Sequence, residues 1–142
     1  MVTASRSSAP QAATVSLARR PVFDDKRRLW GYELFRVGGE SFPGDSANKE
    51  SAATSLAKSA YIGLQQIADR GKKVIVNFSE KNILDNLPYA LPAALTVVRV
   101  TEKTFQRPSV PESLNRLKSD GYLIAVDEFS GDADFEPLYR MA

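Results

Sequence analysis

The sequence predicts an α/β fold built on a largely parallel sheet, and three observations carry that prediction. Short runs rich in Val and Ile recur around residues 74–78, 96–102 and 122–129. Segments with helical character separate them. Strands that alternate with helices form parallel sheets with right-handed crossovers. A (β/α) barrel and a doubly wound sheet both fit this order. Neither a Gly-x-Gly-x-x-Gly nor a Gly-x-x-x-x-Gly-Lys loop is present, which disfavours nucleotide folds of those two kinds.

Residues 1–14 are rich in Ser and Ala and lack periodicity, so they read as a disordered tail. Residues 15–142 form the predicted domain. Residues 15–23 look extended, and Pro21 suits an edge strand. The charged turn at residues 24–28 leads into a second strand over 29–37, and the pair reads as a hairpin. Residues 38–47 hold Gly38, Gly39, Pro43 and Gly44 and read as a loop. Ala53, Leu56, Ala60, Leu64 and Ile67 then form one apolar stripe, predicting a helix over 48–70 with Gly71 as its left-handed cap. The strand at 74–78 is apolar on both faces apart from Asn77, as in a covered parallel sheet. Ser79 can cap a short helix to about residue 87. Pro88 and Pro92 break the chain before the strand at 96–102. Pro111 opens a helix carrying Leu114 and Leu117 that stops at Gly121. The last strand covers 122–129, and a final helix starts near Asp134 or Phe135.

Composition narrows the chemistry. The 142 residues suffice for one domain with a core, and a net charge of +2 is too small to imply a nucleic-acid polymer as partner. The chain has no Cys, hence no disulfide and no thiol nucleophile. It has no His, the commonest general base and metal ligand. Any metal site must therefore use oxygen ligands, which favours Mg²⁺, Mn²⁺ or Ca²⁺. No apolar run is long enough to span a membrane, and the N-terminus lacks the apolar core of a signal peptide. The expected location is the cytoplasm, with no membrane partner.

Polar residues interrupt the apolar strands at Glu33, Asn77, Arg99 and the pair Asp127-Glu128. A lone buried carboxylate is costly and needs a metal, a cation or a proton. Polar groups toward the ends of successive parallel strands point to one shared site. Simpler readings compete at each position. Glu33 could pair with a neighbouring Lys or Arg. Asn77 and Asp127-Glu128 could cap the helices that follow. Arg99 could face solvent on an alternating strand. Tyr61, Tyr89 and Tyr122 read as packing residues.

Five segments in order resemble the EAL domain, the bacterial phosphodiesterase of cyclic di-GMP, and most of all the divergent EAL half of EAL-HDOD signalling proteins. They are Ala18-Arg19-Arg20-Pro21-Val22-Phe23-Asp24, Gly31-Tyr32-Glu33-Leu34, Val76-Asn77-Phe78-Ser79, Val98-Arg99-Val100-Thr101-Glu102 and Ala125-Val126-Asp127-Glu128-Phe129-Ser130. The resemblance implies a partial (β/α) barrel of EAL type with an N-terminal hairpin. It also implies two divalent cations, Mg or Mn, at the site of an active member. Glu33, Asn77, Asp127 and Glu128 match ancestral metal-ligand positions, and Arg99 replaces a ligand. Arg20, Leu34 and Arg36 match substrate-binding positions. Arg36 lies three residues after Glu33 where the family's arginine lies four after, so it falls on the opposite strand face unless a bulge corrects it. A complete (β/α) barrel takes ~250 residues, and the chain offers roughly half of that.

A guanidinium stays charged and cannot ligate a cation. No catalytic residue set is therefore expected to be intact, and no cofactor is expected in this chain. If the family geometry holds, Glu33, Asp127 and Glu128 converge, and Arg99 is expected to bridge them as an internal salt-bridge cluster. The implied function is a degenerate, non-catalytic EAL-like signalling module acting through a protein partner or an HDOD-like downstream domain. Self-association through unpaired sheet edges belongs to the same expectation. Two alternatives stay open: a fragment of an active cyclic di-GMP phosphodiesterase using Mg or Mn, and a sensor that binds cyclic di-GMP without hydrolysis.

Overall fold

The computed structural model describes residues 16–37 and 71–142. The predicted tail, the loop at 38–47, the helix at 48–70 and Tyr61 lie outside the described residues. The described chain runs β1 (Ser16–Phe23), β2 (Leu29–Val37), β3 (Lys73–Asn77), α1 (Glu80–Leu84), a 3₁₀ turn (Leu87–Ala90), β4 (Thr96–Thr101), α2 (Glu102–Phe105), α3 (Val110–Ser119), β5 (Leu123–Asp127), a second 3₁₀ turn (Ala133–Phe135) and α4 (Glu136–Met141). The strands form one sheet in sequence order. β1 pairs antiparallel with β2, and β2 to β5 are parallel. The sheet is open: among the described residues β1 and β5 each pair on one side only.

The hairpin follows from its turn. Asp24 Oδ1 accepts from the backbone N–H groups of Lys26 and Arg28, both at 2.9 Å, and Arg27 sits at φ 60°. A short acidic side chain folded onto its own turn fixes the reversal. β2 meets β3 where Gly31 faces Lys73 in register. A Cβ on Gly31 would stand 2.5 Å from the Lys73 carbonyl oxygen, so this approach requires glycine.

β3 and β4 are covered on both faces. Val74, Val76, Val98 and Val100 are buried, and so are Ile75 and Val97 on the opposite face. Successive strand residues point to opposite faces, so burial of both sets means both faces are packed. α3 supplies Leu114 and Leu117 to the core, and α4 supplies Leu138. α3 ends as expected at Gly121 (φ 96°), where Gly121 and Tyr122 donate back to the Lys118 and Leu117 carbonyls at 3.1 Å.

Several boundaries differ from the sequence expectation. Thr101 Oγ1 accepts from the Thr104 N–H at 3.1 Å, so the chain turns helical at Glu102 and β4 ends one residue early. The helix after Ser79 stops at Leu84; residues 85–86 turn, and a 3₁₀ turn follows from Leu87, with Pro88 in its first turn. β5 ends at Asp127 because Glu128 adopts φ 60°, which no strand continues. Tyr89 and Tyr122 pack edge to face, 5.6 Å between ring centroids.

Candidate functional site

The interrupted strands meet at one cluster. Asn77 closes β3 and faces Arg99 across the β3–β4 ladder. Asp127 closes β5, opposite Thr101. Glu33 lies on β2, opposite Arg20 in the antiparallel ladder. Arg99 donates through Nη2 to Glu33 Oε1 and through Nε to Asn77 Oδ1, and its Nε lies 3.9 Å from Asp127 Oδ2. Arg20 reaches the other side of the same carboxylate, with Nε 3.0 Å from Glu33 Oε2 and Nη2 on the same oxygen.

Two guanidinium groups therefore hold one carboxylate. Glu33 is 3% exposed, and the Arg99 side chain 15%, while the Arg20 side chain is 61% exposed. Burial pushes the Glu33 pKa up. Hydrogen bonds and charge from Arg20 and Arg99 outweigh that push and leave it below the ordinary glutamate value. Glu33 is thus an anion, and its partners are cations that cannot lose their protons.

The remaining site candidates fall elsewhere. Glu128 does not join the cluster. Its left-handed backbone turns it out, exposed, to an open groove of about 690 Å³ with Ser79, Lys81, Thr101, Lys103 and Arg107. Leu34 packs in the hydrophobic core, one residue out of phase with Glu33. The β1–β2 ladder runs from Glu33 to Arg36 without a register shift, so no bulge resets the strand there. The Arg36 side chain lies outside the described residues. The helical segments that follow Asp127 have Asp132 and Phe135 at their N-cap positions, and Asp127 Oδ1 accepts from the adjacent Glu128 N–H at 3.1 Å.

One buried acid escapes the sequence reading. Glu102 Oε1 accepts from the Ser130 N–H at 2.8 Å and from the Tyr139 hydroxyl. Burial pushes the Glu102 pKa up, yet these two donors bring it below the ordinary value. The available signal was Thr101 as a cap before an acidic first-turn residue. Nothing in the sequence marks Ser130 and Tyr139 as its partners.

No family model matches the chain. Two curated relatives do. The Vibrio cholerae protein CdgJ, named a cyclic di-GMP phosphodiesterase, is 31% identical over 121 residues, covering 82% of this chain and 27% of CdgJ. The uncharacterised Bacillus subtilis protein YuxH is 29% identical over 117 residues, covering 81% of this chain and 28% of YuxH. The chain thus spans little more than a quarter of the length of these relatives. Among solved structures, Klebsiella pneumoniae BlrP1 in its manganese and cyclic di-GMP complex superposes with a TM-score of 0.61 at 17% identity, covering 93% of this chain and 39% of that one. The EAL domain of Mycobacterium smegmatis DcpA superposes with a TM-score of 0.53 at 14% identity, covering 82% of this chain and 56% of that one. The chain has the EAL fold.

The open sheet of this EAL-like chain is a partial (β/α) barrel, with alternating strands and helices after its hairpin. A divalent cation in such a site needs hard oxygen lone pairs turned toward it. Here the side-chain oxygens of Glu33 and Asn77 already accept from Arg99. The guanidinium also brings positive charge to the same place, where a cation would be repelled. Among the described residues, no three His, Cys, Asp or Glu side chains gather closely enough to hold a metal ion. The cluster as built does not fit a divalent cation.

Proposed function

We propose that this EAL-like chain is a degenerate, non-catalytic module of cyclic di-GMP signalling that acts through protein contacts. The observation that carries the reading is Arg99, whose guanidinium lies among Glu33, Asn77 and Asp127. Metal-assisted hydrolysis needs a cation to polarise the phosphate and to deprotonate water. A side chain that carries its own positive charge into the cluster supplies neither an open coordination position nor an ionisable water. The names of CdgJ and of the BlrP1 complex support the link to cyclic di-GMP. The two sheet edges that are open among the described residues support a role through contacts, since unpaired backbone groups recruit further strands.

The test is turnover. The purified chain, incubated with cyclic di-GMP and Mn²⁺ or Mg²⁺, should yield no linear dinucleotide above a Glu33→Ala control. Metal-dependent product that disappears in Glu33→Ala would overturn the reading and favour an active phosphodiesterase fragment.

A further inference from the structure

We infer that the β1–β2 turn of one copy of this chain docks onto the loop after β5 of a second copy, head to tail. The inference rests on the protein-contact reading above and deepens it, because it names two surfaces and the partner that joins them.

The first surface is the turn end of the hairpin. Phe23 is 57% exposed there, and Trp30, the one tryptophan of the chain, 38%. The ladder pairs Val22 with Gly31 and Phe23 with Leu29, so Trp30 is the extra residue of a bulge. A bulge leaves that residue unpaired and re-aims its side chain. Cations surround the two rings. Arg28 pairs with Asp24, which leaves exposed Lys26 and Arg27 against Asp25. Lys72 adds a third cation, its Nζ 2.8 Å from the Leu29 carbonyl oxygen. This surface is aromatic and basic.

The second surface lies beyond β5. Phe129 is 68% exposed, and its ring rests on Tyr139 with 4.6 Å between centroids. The loop that carries it is tied down. The Ser130 N–H donates to Glu102 at 2.8 Å, and the Gly131 N–H to the Tyr139 hydroxyl at 3.2 Å. A group already held in place loses little further freedom on docking. Residues 123–139 contain no Lys or Arg. Of their acids, Asp127 lies by Arg99, Glu136 pairs with Arg140 and Glu128 turns to the groove. Asp132 and Asp134 stay exposed in the loop. This surface is aromatic and acidic, and it continues the β5 edge, where Leu123 is 46% exposed.

The two surfaces complement each other and cannot meet within one molecule. β1 and β5 are opposite edges of the sheet, four strand spacings or about 19 Å apart. The turn precedes the start of the parallel strands, and the loop follows their end. Two different surfaces that fit across two copies make a heterologous contact, which closes into a ring or runs on as an open chain. Aromatic side chains anchor such contacts, and opposite charges set their register.

The test is complementation between two crippled copies. Trp30→Ser removes the anchor of the turn and keeps the loop; Phe129→Lys removes the anchor of the loop and keeps the turn. In sedimentation velocity each should stay at monomer mass at concentrations where the parent associates. Mixed in equal amounts, they should form a dimer of one copy of each and nothing larger. The only tryptophan in that mixture is Trp30 of the Phe129→Lys copy, and its emission should shift to the blue on mixing. The Kd of the mixed dimer should rise about tenfold from about 0.1 to 1 M NaCl, as salt screens the charges. Lys26→Glu/Arg27→Glu changes only the exposed turn and should behave as Trp30→Ser does in sedimentation. A monomeric parent overturns the inference, as does any of these variants that associates like the parent on its own. So does a mixture that stays monomeric or leaves the Trp30 emission unmoved. Turnover of cyclic di-GMP by the parent would sink the non-catalytic reading; failed complementation would sink this one alone.

Discussion

A charged residue inside an apolar strand must be answered by something, and that rule made Glu33 and Arg99 legible before any coordinates. Which group answers Glu33 was only half legible. The family likeness placed Arg20 at a nucleotide-binding position and gave no sign of its pairing with Glu33, which the hairpin register brings about by setting the two residues opposite each other. Cross-strand register depends on a turn that one-dimensional patterns describe poorly. Glu128 was read with Asp127 as one strand end, and its own left-handed backbone turns it away from the strand. Glu102 was read as strand and is the first residue of a helix turn. Its carboxylate yields a prediction about acid. Its folded pKa lies below the ordinary value of 4.5, because the Ser130 N–H and the Tyr139 hydroxyl outweigh the opposing effect of burial. A depressed carboxylate stabilises the fold above its unfolded pKa and loses that contribution as pH falls through the folded value. Glu102→Gln should therefore lower the urea midpoint clearly at about pH 7 and much less at about pH 3. Equal losses at both pH values would show that Glu102 acts by shape alone.

At the scale of elements, the Val-rich strands were the most legible part. β3 and β4 bury Val and Ile residues on both faces, and a short stretch of that kind has few homes besides a covered sheet. α3 announced itself through Pro111, Leu114, Leu117 and Gly121. α2 did not, because four residues are too few to display a period. The junction of β2 with β3 was equally silent, since a glycine within a strand signals several things. There the structure is specific: the methyl of Gly31→Ala would meet a backbone carbonyl, which cannot rotate away. This substitution should destabilise the chain by about 2 kcal/mol, as overpacking does. Urea unfolding measures it directly, and an unchanged midpoint would mean that the two strands part freely at this point.

For the molecule as a whole, the order of elements fitted a barrel and a doubly wound sheet alike, and only the resemblance to the EAL domain pointed to a partial barrel; the described sheet is open. Its two edges are not alike. β1 carries Pro21 and the charged pair Arg19 and Arg20, features that discourage edge-to-edge pairing. β5 reads Leu123-Ile124-Ala125-Val126-Asp127, with neither Pro nor Lys, and Leu123 is 46% exposed. Sedimentation velocity should show the mean mass rising with concentration. Leu123→Lys, which places a charge on that edge, should suppress the rise. A parent chain that stays monomeric across about a hundredfold range of concentration would show that the β5 edge is protected.

The clamp on Glu33 also has an order in time. Arg20 is 13 residues from Glu33 along the chain and Arg99 is 66. Closing a longer loop costs more entropy, and contacts between near neighbours in sequence form first. Glu33 therefore meets Arg20 early, within the hairpin, while the pair is still wet and worth little. Arg99 arrives only when β4 docks onto β3. On that order the carboxylate is expected to be accompanied before water leaves it and locked afterwards, and the sheet to assemble without a state that holds a bare buried anion.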